Sequence, residues 1–318
     1  MMKTKRAYLT ATRKFEIRED TVSAGDDEVL IKIESCGLCN WEMNHWKGLL
    51  GTCPQTLGHE WGGTIVEVGS HAHGLKAGDR VTGLPERLEG FAEYGVFKAD
   101  HCFHVSPSVP LGYTLGEPLK CVVTVLRAAS PEVGDAGVMI GCGAMGLWCI
   151  QALRGNILNR LIAVDVDDTR LALALQYGAT NAINAAKENP LEAIKALTNG
   201  RMADFAIEGT GKPPQLEQAI RSVRGGRGRV ILMSSHETAA PSFDFRPAIE
   251  RSVEIRVAHP GYSLNPLDDS RRAVDLLNSG VFSLDRIVTH RFSLNDVQKA
   301  FESLETKPVG FIKGIVVP

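Results

Sequence analysis

The chain has 318 residues, which is long for a single hydrophobic core and predicts two domains. It is 44% hydrophobic and 23% charged, as is ordinary for globular proteins, and its formal net charge of -2 gives no reason to expect nucleic acid or a membrane surface as a partner. Because there is no leader-like apolar segment and no run of 18 apolar residues, we expect a cytoplasmic protein. Seven cysteines, an odd number, favour free thiols or a metal site over a disulfide framework.

The first part of the chain, to about residue 120, is rich in short runs that favour β-strands. Glycine-containing turns separate these runs, a pattern typical of an irregular β-barrel. The predicted strands cover residues 28–35, 61–68, 80–82 and 94–98.

From about Gly137 the pattern changes to strands that alternate with helices. This alternation implies right-handed βαβ units and a parallel sheet. After about His259, one more amphipathic helix and a β-like tail follow, so we expect the two outer segments to fold together around the inserted α/β unit. The predicted strands are 137–140, 161–164, 204–207, 230–233 and 311–317, and the predicted helices are 144–154, 169–177, 214–222 and 270–278.

The run "RGGRGR", residues 224–229, has the composition of an RNA-binding segment. It is a single short run that directly precedes the apolar residues 230–233. A glycine turn that enters a buried strand is therefore the preferred interpretation.

The sequence "GCGAMG" places Gly141, Gly143 and Gly146 in a GxGxxG frame between a predicted strand and a predicted helix. This context is typical of a dinucleotide site, where the glycines allow a tight turn and close approach to the pyrophosphate. Asp165, at the end of the next strand, would accept hydrogen bonds from a ribose and repel a 2′-phosphate, so we favour NAD(H) over NADP(H). A βαβ unit that binds nothing is the alternative. The expected cofactor residues are Gly141, Gly143, Ala144, Met145, Gly146, Asp165 and Arg170, of which Arg170 could weaken the preference for NAD(H).

The stretch "CGLCNWEMNHW", residues 36–46, is open to three interpretations: a redox CxxC pair, half of a zinc ribbon, or the site of one catalytic metal ligand. Two further motifs bear on the choice. "LGHEWGG" contains His59 and Glu60, and "GEPLKCV" contains Glu117. Cysteine, imidazole and carboxylate together suit Zn²⁺ at a catalytic site that keeps one position open.

These motifs, in this order, resemble the medium-chain zinc-dependent alcohol dehydrogenase family, in its sorbitol/polyol and threonine dehydrogenase branch. The resemblance implies a GroES-like catalytic domain, residues 1–121 and 259–318, with an inserted Rossmann domain, residues 122–258, whose parallel sheet is doubly wound. It also implies that NAD(P) binds in the cleft between the domains. The matching stretches are "CGLC", "LGHEWGGTIVEVG", "LKAGDRV", "GFAEY", "EPLKCVV", "GCGAMG", "DFAIEGTG" and "IVTHRFSLNDVQKAFE".

The resemblance implies that Cys39 and His59 bind a catalytic zinc, together with Glu60, Glu117 or both, and that Cys36 is not a ligand. Many relatives carry a four-cysteine structural-zinc lobe after the "GDRV" strand. Only "TGLPERLEG" follows here, without cysteine, so we expect one catalytic zinc and no structural zinc.

The chain departs from the family pattern directly after Cys39. Trp41 stands where relatives carry the Ser or Thr that passes the substrate proton toward solvent, and an indole cannot accept a proton. Asn44 replaces a common histidine, with His45 next to it. A relay through water, His45 or an unbound carboxylate is therefore expected, unless the chemistry has changed. The candidate substrate contacts are Trp41, Asn44, His45, Trp46 and His259. Core positions for Trp41 and Trp46, and a position at the domain junction for His259, are the alternatives.

The expected activity is reversible oxidation of a secondary alcohol to a ketone with NAD(H), on a polyol, sugar alcohol or cyclitol. The alternatives are a zinc-free quinone or enoyl reductase of the same fold, and a non-catalytic NAD(H)-binding sensor. Relatives pair through the edge of the Rossmann sheet, and the apolar-patterned segment 252–258 could form that edge. We therefore expect a homodimer or homotetramer.

Overall fold

The structure, a computed structural model, describes residues 1–155, 157–235 and 243–318. The chain divides into two compact units. Unit 1 is Met1–Lys120 with Pro266–Pro318, and unit 2 is Cys121–Asn265. In the described part of the chain, no helix is long and apolar enough to cross a bilayer.

Unit 1 is built mainly from β-strands. Seven strands form one sheet in the order β15-β16-β3-β5-β6-β8, with β7 also paired to β3, and a smaller sheet has the order β2-β1-β4. The elements before the insertion are β1 (Met2–Ala11), β2 (Lys14–Val22), β3 (Glu28–Gly37), α1 (Asn40–Trp46), β4 (Gln55–Thr56), β5 (Trp61–Val68), β6 (Arg80–Gly83), β7 (Tyr94–Lys98), β8 (Cys102–His104) and α2 (Gly116–Ala129). Those after it are α8 (Pro266–Asn278), β15 (Val288–Ser293), α9 (Val297–Thr306) and β16 (Lys313–Val317). Helix α2 contains the boundary between the units.

A core of aliphatic and aromatic side chains fills unit 1. Leu9, Ile31, Trp61 and Phe91, from the strands and the loop before β7, pack with Phe301 of α9, and all are fully buried. Burial of these large side chains, at about 25 cal/mol per Å² of apolar surface, holds the sheets together. Strand β3 runs through this core and ends at Gly37, two positions before Cys39, the N-cap of α1.

Unit 2 is a six-stranded parallel sheet with connecting helices. The strand order is β11-β10-β9-β12-β13-β14, which is the 3-2-1-4-5-6 order of a dinucleotide-binding doubly wound fold. The prediction of a β-rich part with an inserted doubly wound parallel sheet is therefore confirmed. The elements are β9 (Ala136–Ile140), α3 (Ala144–Leu153), β10 (Arg160–Asp165), α4 (Asp168–Gln176), β11 (Asn181–Asn184), α5 (Pro190–Leu197), β12 (Phe205–Glu208), α6 (Pro213–Ser222), β13 (Arg229–Leu232), α7 (Arg246–Arg251) and β14 (Glu254–Val257).

The "RGGRGR" run is a turn that enters β13, as predicted. Each arginine has a carboxylate partner within unit 2. Arg224 Nε donates to Asp204 at 2.9 Å, Arg227 Nε donates to Glu254 at 2.8 Å, and the Arg229 guanidinium lies 2.5 Å from an Asp135 carboxylate oxygen. The arginines therefore tie the turn to its neighbours within the unit.

Candidate metal and dinucleotide sites

Three side chains of unit 1 converge on one point with donor atoms suited to zinc. Cys39 is the N-cap of α1, and His59 and Glu60 directly precede β5. One ligand atom from each lies within 4.8 Å of the others, and within the described ranges this is the one such group of three or more. A thiolate, an imidazole and a carboxylate fit a tetrahedral zinc that keeps its fourth position open.

The glycine of "CGLC" has a steric role in this cluster. Gly37 N donates to the Glu60 carbonyl oxygen at 2.7 Å, and a Cβ at position 37 would overlap Glu60 Oε2. Cys36, by contrast, is fully buried in the apolar core, and burial raises the pKa of its thiol well above the usual value, with Glu42 and Glu60 adding to the effect. The two cysteines of the motif therefore face different surroundings, and only Cys39 belongs to the donor cluster.

Glu42 fixes the orientation of the His59 imidazole. Its Oε1 lies 2.9 Å from His59 Nδ1 and accepts a hydrogen bond of 2.6 Å from Gly58 N. Burial alone would lower the pKa of His59, but the carboxylate of Glu42 and the Cys39 sulfur outweigh it and hold that pKa well above its usual value. With Nδ1 committed to Glu42, Nε2 is the nitrogen left for a metal, which is the usual carboxylate–histidine–metal arrangement.

Replacing Glu42 with glutamine is expected to weaken zinc binding by about 10- to 100-fold, because partners of this kind orient the ligand and raise its basicity. Competition against a chromogenic chelator gives the affinity. The surface variant Glu16→Gln serves as the matched control and should bind zinc like the parent. Equal affinities for both variants would remove the assigned role of Glu42.

Each candidate carboxylate of the site has a lysine beside it. Glu60 Oε2 lies 2.5 Å from Lys313 Nζ, which also donates to the Leu38 carbonyl oxygen at 2.9 Å. Glu117 Oε1 lies 3.1 Å from Lys120 Nζ, while its Oε2 is 3.8 Å from His59 Nε2. Glu117 therefore contacts His59 but lies outside the three-residue donor group.

Burial dominates the electrostatics of the Glu60–Lys313 pair. Loss of water raises the pKa of Glu60, partly offset by the Lys313 ammonium. Burial would likewise lower the pKa of Lys313, but Glu60 and Cys39 outweigh it, and that pKa is raised. Both groups are buried, and each compensates the charge of the other.

The candidate substrate contacts fall into two groups. The Trp41 ring meets the His59 ring edge-on at 5.4 Å and the His45 ring at 4.6 Å, and Trp41 is 42% exposed. Asn44 is buried on the same helix. Trp46, in contrast, packs in the core against Phe301 at 6.0 Å. His259 belongs to unit 2, where its Nδ1 accepts a hydrogen bond from Gly261 N at 3.5 Å.

The glycines of "GCGAMG" lie where β9 turns into α3. Gly141 has φ of +92°, which an L side chain rarely adopts. A Cβ at Gly143 would meet nothing within 4 Å, so this N-cap leaves open space, whereas a Cβ at Gly146 would overlap the Gly141 carbonyl oxygen. Ala144 and Met145 open the helix. This arrangement suits a pyrophosphate at the helix N-terminus.

Asp165, at the end of β10, lies against this turn. Its Oδ2 accepts a 2.6 Å hydrogen bond from Cys142 N, and its Oδ1 accepts from Val166 N at 2.8 Å and Asp167 N at 3.0 Å. Arg170 Nε is 3.9 Å from Asp167 Oδ2. The carboxylate therefore ties the end of β10 to the glycine turn and places a negative charge beside it.

Several residues of the site were not singled out from the sequence. Lys313 and Lys120 pair with the two carboxylates, and Gln55 Oε1 accepts a hydrogen bond from His45 Nδ1 at 2.9 Å. Glu42, which lies beside His59, was likewise not assigned a role. A single lysine in the otherwise apolar tail "GFIKGIVV" was the one available signal for Lys313.

Comparison with known proteins gives consistent results for both units. Residues 25–107 match the family model for the alcohol dehydrogenase GroES-like domain, and residues 144–279 match the model for zinc-binding dehydrogenase. L-threonine 3-dehydrogenase from Pyrococcus abyssi is 30% identical over 98% of this chain and 96% of its own.

Two solved structures are similar over nearly the whole chain. An oxidoreductase/dehydrogenase of unknown specificity from Escherichia coli has a TM-score of 0.90 at 26% identity, covering 99% of both chains. The 2R,3R-butanediol dehydrogenase from Bacillus subtilis has a TM-score of 0.85 at 25% identity, also covering 99% of both.

Proposed function

The chain belongs to the zinc-dependent medium-chain alcohol dehydrogenase family, and from this premise we propose that it reversibly oxidises a secondary alcohol to a ketone with NAD(H). The observation that carries the proposal is the convergence of Cys39, His59 and Glu60 on one point. Polyols, sugar alcohols and cyclitols are the proposed substrate classes. The catalytic part is assigned to residues 1–121 and 259–318, and the dinucleotide part to residues 122–258.

Cys39, His59 and Glu60 would hold one zinc, with Glu117 facing it from beside His59. When bound, zinc supplies a Lewis acid that lowers the pKa of an alcohol hydroxyl, and NAD supplies the hydride acceptor. The chain's own contribution is to hold the donors in place: Glu42 orients His59, and Lys313 balances the charge of Glu60.

We propose a single zinc per chain. Residues 82–90 stand where relatives have the cysteine lobe, and three ion pairs connect this segment to neighbouring strands. The pairs are Glu86 with Lys98 at 3.0 Å, Arg87 with Glu28 at 3.0 Å, and Glu89 with Arg6 at 3.2 Å. These pairs link the segment to β7, β3 and β1.

His45 is proposed to take up the proton released from the alcohol. Its Nδ1–H donates to Gln55 Oε1, so the lone pair is on Nε2. This nitrogen is buried and has no hydrogen-bond partner among the described residues. Trp41 contacts both the His45 and His59 rings, which places His45 one side chain away from the metal ligands. A water between the alcohol and Nε2 would complete the path.

The preference for NAD(H) rests on Asp165. Its buried carboxylate lies beside the glycine turn and would repel a 2′-phosphate.

Strand β14 lies at the edge of the described part of the parallel sheet, and its residues Ile255 and Val257 are exposed. We infer that this edge pairs two copies, giving a homodimer or homotetramer, and we place the enzyme in the cytoplasm.

The test is initial-rate NADH formation with zinc-loaded protein and a panel of secondary alcohols, polyols and cyclitols. We expect turnover that a chelator abolishes and added zinc restores. We also expect kcat/KM for NAD to be at least about tenfold higher than kcat/KM for NADP, because repulsion between Asp165 and the 2′-phosphate of about 1.4 kcal/mol corresponds to that ratio. Turnover of quinones or enones that survives metal removal would favour a zinc-free reductase. NADH binding without any turnover would favour a sensor.

A further inference from the structure

Helix α2 buries a lysine beside the candidate metal site. Lys120 is only 4% exposed and directly follows Leu119, which is fully buried. A lysine is seldom buried to this degree unless an opposite charge compensates it. Glu117, one helical turn earlier, supplies that charge, because its Oε1 lies 3.1 Å from Lys120 Nζ. Both residues belong to unit 1, so the pair lies with the donor cluster in one compact unit.

The start of α2 is tied to the strand that follows the donor cluster. Gly116 N donates to Thr82 Oγ1 at 3.0 Å, and this hydroxyl donates to the Trp61 carbonyl oxygen at 2.6 Å. A Cβ at Gly116 would come within 2.5 Å of Thr82 Oγ1, so the approach is close. Trp61 is the residue after Glu60. The backbone at Glu117 is therefore fixed relative to the cluster, and its side chain has the remaining freedom.

The Glu117 carboxylate is within reach of a metal held by the cluster. Its Oε2 lies 3.8 Å from His59 Nε2, the nitrogen left for a metal. Two ligand atoms that are each about 2.1 Å from a tetrahedral zinc lie about 3.4 Å apart. A small rotation would thus bring this oxygen into the coordination sphere, and a divalent cation would attract it strongly. Lys120 offers a competing cation to the other oxygen of the same carboxylate.

We propose that Lys120 is a positioning residue that holds Glu117 beside the zinc and off it, so that the fourth coordination position stays open for the alcohol. The inference rests on the proposed function and deepens its account of the same site. The two lysines of the site then act differently. Lys313 compensates Glu60, whose oxygen already belongs to the donor group, whereas Lys120 retains a carboxylate that lies outside that group.

The test uses the whole chain with Co²⁺ in place of Zn²⁺, because Co²⁺ binds similar nitrogen, oxygen and sulfur ligands and its visible absorption reports on them. Imidazole serves as the probe of the open position. In Lys120→Met the cation is lost, and we expect Glu117 to bind the metal. If it occupies the open position in about nine molecules of ten, the apparent Kd for imidazole rises about tenfold. Zinc affinity, from competition with a chelator, should rise by about threefold or more.

Three further variants separate the charge of Lys120 from its packing. Lys120→Met/Glu117→Gln has no carboxylate left to fill the position and should bind imidazole within about twofold of the parent. Lys120→Arg keeps the positive charge and should also resemble the parent. Lys299→Met removes an exposed lysine of α9 and serves as the matched control. Lys120→Gln keeps a hydrogen-bond donor and is the milder change, so it should weaken imidazole binding in the same direction even where Lys120→Met is unstable.

Imidazole and zinc affinities equal to those of the control in both Lys120→Met and Lys120→Gln would overturn the inference and leave an ion pair that only stabilises α2. Weak imidazole binding that persists in the double variant would also overturn it, because Glu117 would then not be the group that fills the position. Failure of the proposed function is distinguishable, since it is an absence of zinc-dependent alcohol turnover in the parent, whatever the cobalt protein shows.

Discussion

Replacement of Cys39 by alanine is expected to remove the bound zinc and at least about 10³-fold of the alcohol-dependent turnover. The size follows from losing a Lewis acid worth several kcal/mol of transition-state stabilisation, since about 4 kcal/mol corresponds to that factor. The thiol is the one soft donor of the cluster, and the imidazole and carboxylate that remain do not complete a zinc site. NADH affinity, measured by fluorescence titration, should stay within about twofold, because the glycine turn belongs to another unit.

The matched control for this experiment is Cys36→Ala, which alters the other cysteine of the same motif. Cys36 lies in the core with its sulfur toward Gly90, where a Cβ on that glycine would come within 2.7 Å. The variant should lose some stability, about 1 kcal/mol for a small cavity, and keep its zinc. If Cys36→Ala lost the metal and Cys39→Ala kept it, the assignment of the two cysteines would be wrong.

Replacement of Lys313 by methionine is expected to lower the free energy of unfolding of metal-depleted protein by about 3 to 5 kcal/mol. Methionine fills a similar volume but leaves the Glu60 carboxylate, which is buried, without its cation. The Leu38 carbonyl oxygen also loses a hydrogen bond. Urea denaturation near neutral pH, with a chelator present throughout, measures the effect.

A double variant separates the charge from the packing. Glu60→Gln removes the uncompensated charge, so Lys313→Met/Glu60→Gln should recover most of the stability that Lys313→Met loses. An unfolding free energy for Lys313→Met within about 0.5 kcal/mol of the parent would show that the pair does not stabilise unit 1. Equal losses in the single and double variants would assign the effect to packing of the lysine stem.

The regular part of the fold was predictable because its signals are local. Alternation of apolar residues gave β5 and β7 with the observed bounds, and the strand–glycine–helix pattern gave the turn from β9 to α3. Helix α8 begins at Pro266, four residues before its predicted start, because proline fits the first turn of a helix. The hairpin of β1 and β2 was missed, since three of the ten residues of β1 and five of the nine residues of β2 are charged and interrupt the alternation.

Only those residues of the candidate site that belong to recognisable sequence motifs could be predicted. Cys39, His59 and Glu60 follow from "CGLC" and "GHE", and the structure brings them together. The pairing of Lys313 with the site depends on a strand that returns to β3 from the far end of the chain, 275 positions away from Leu38. No local pattern encodes such a contact. A motif also does not show which of its side chains face the site: Trp46 belongs to the predicted substrate-contact segment, and its side chain lies in the core.

The most direct test of the account is the zinc content per chain of purified protein after exhaustive dialysis, measured by elemental analysis. The account predicts about one zinc per chain, since Cys39, His59 and Glu60 form a single donor cluster and no cysteine lobe follows β6. About two per chain would contradict the single site. A value near zero in protein that still turns over substrate would contradict the zinc chemistry itself.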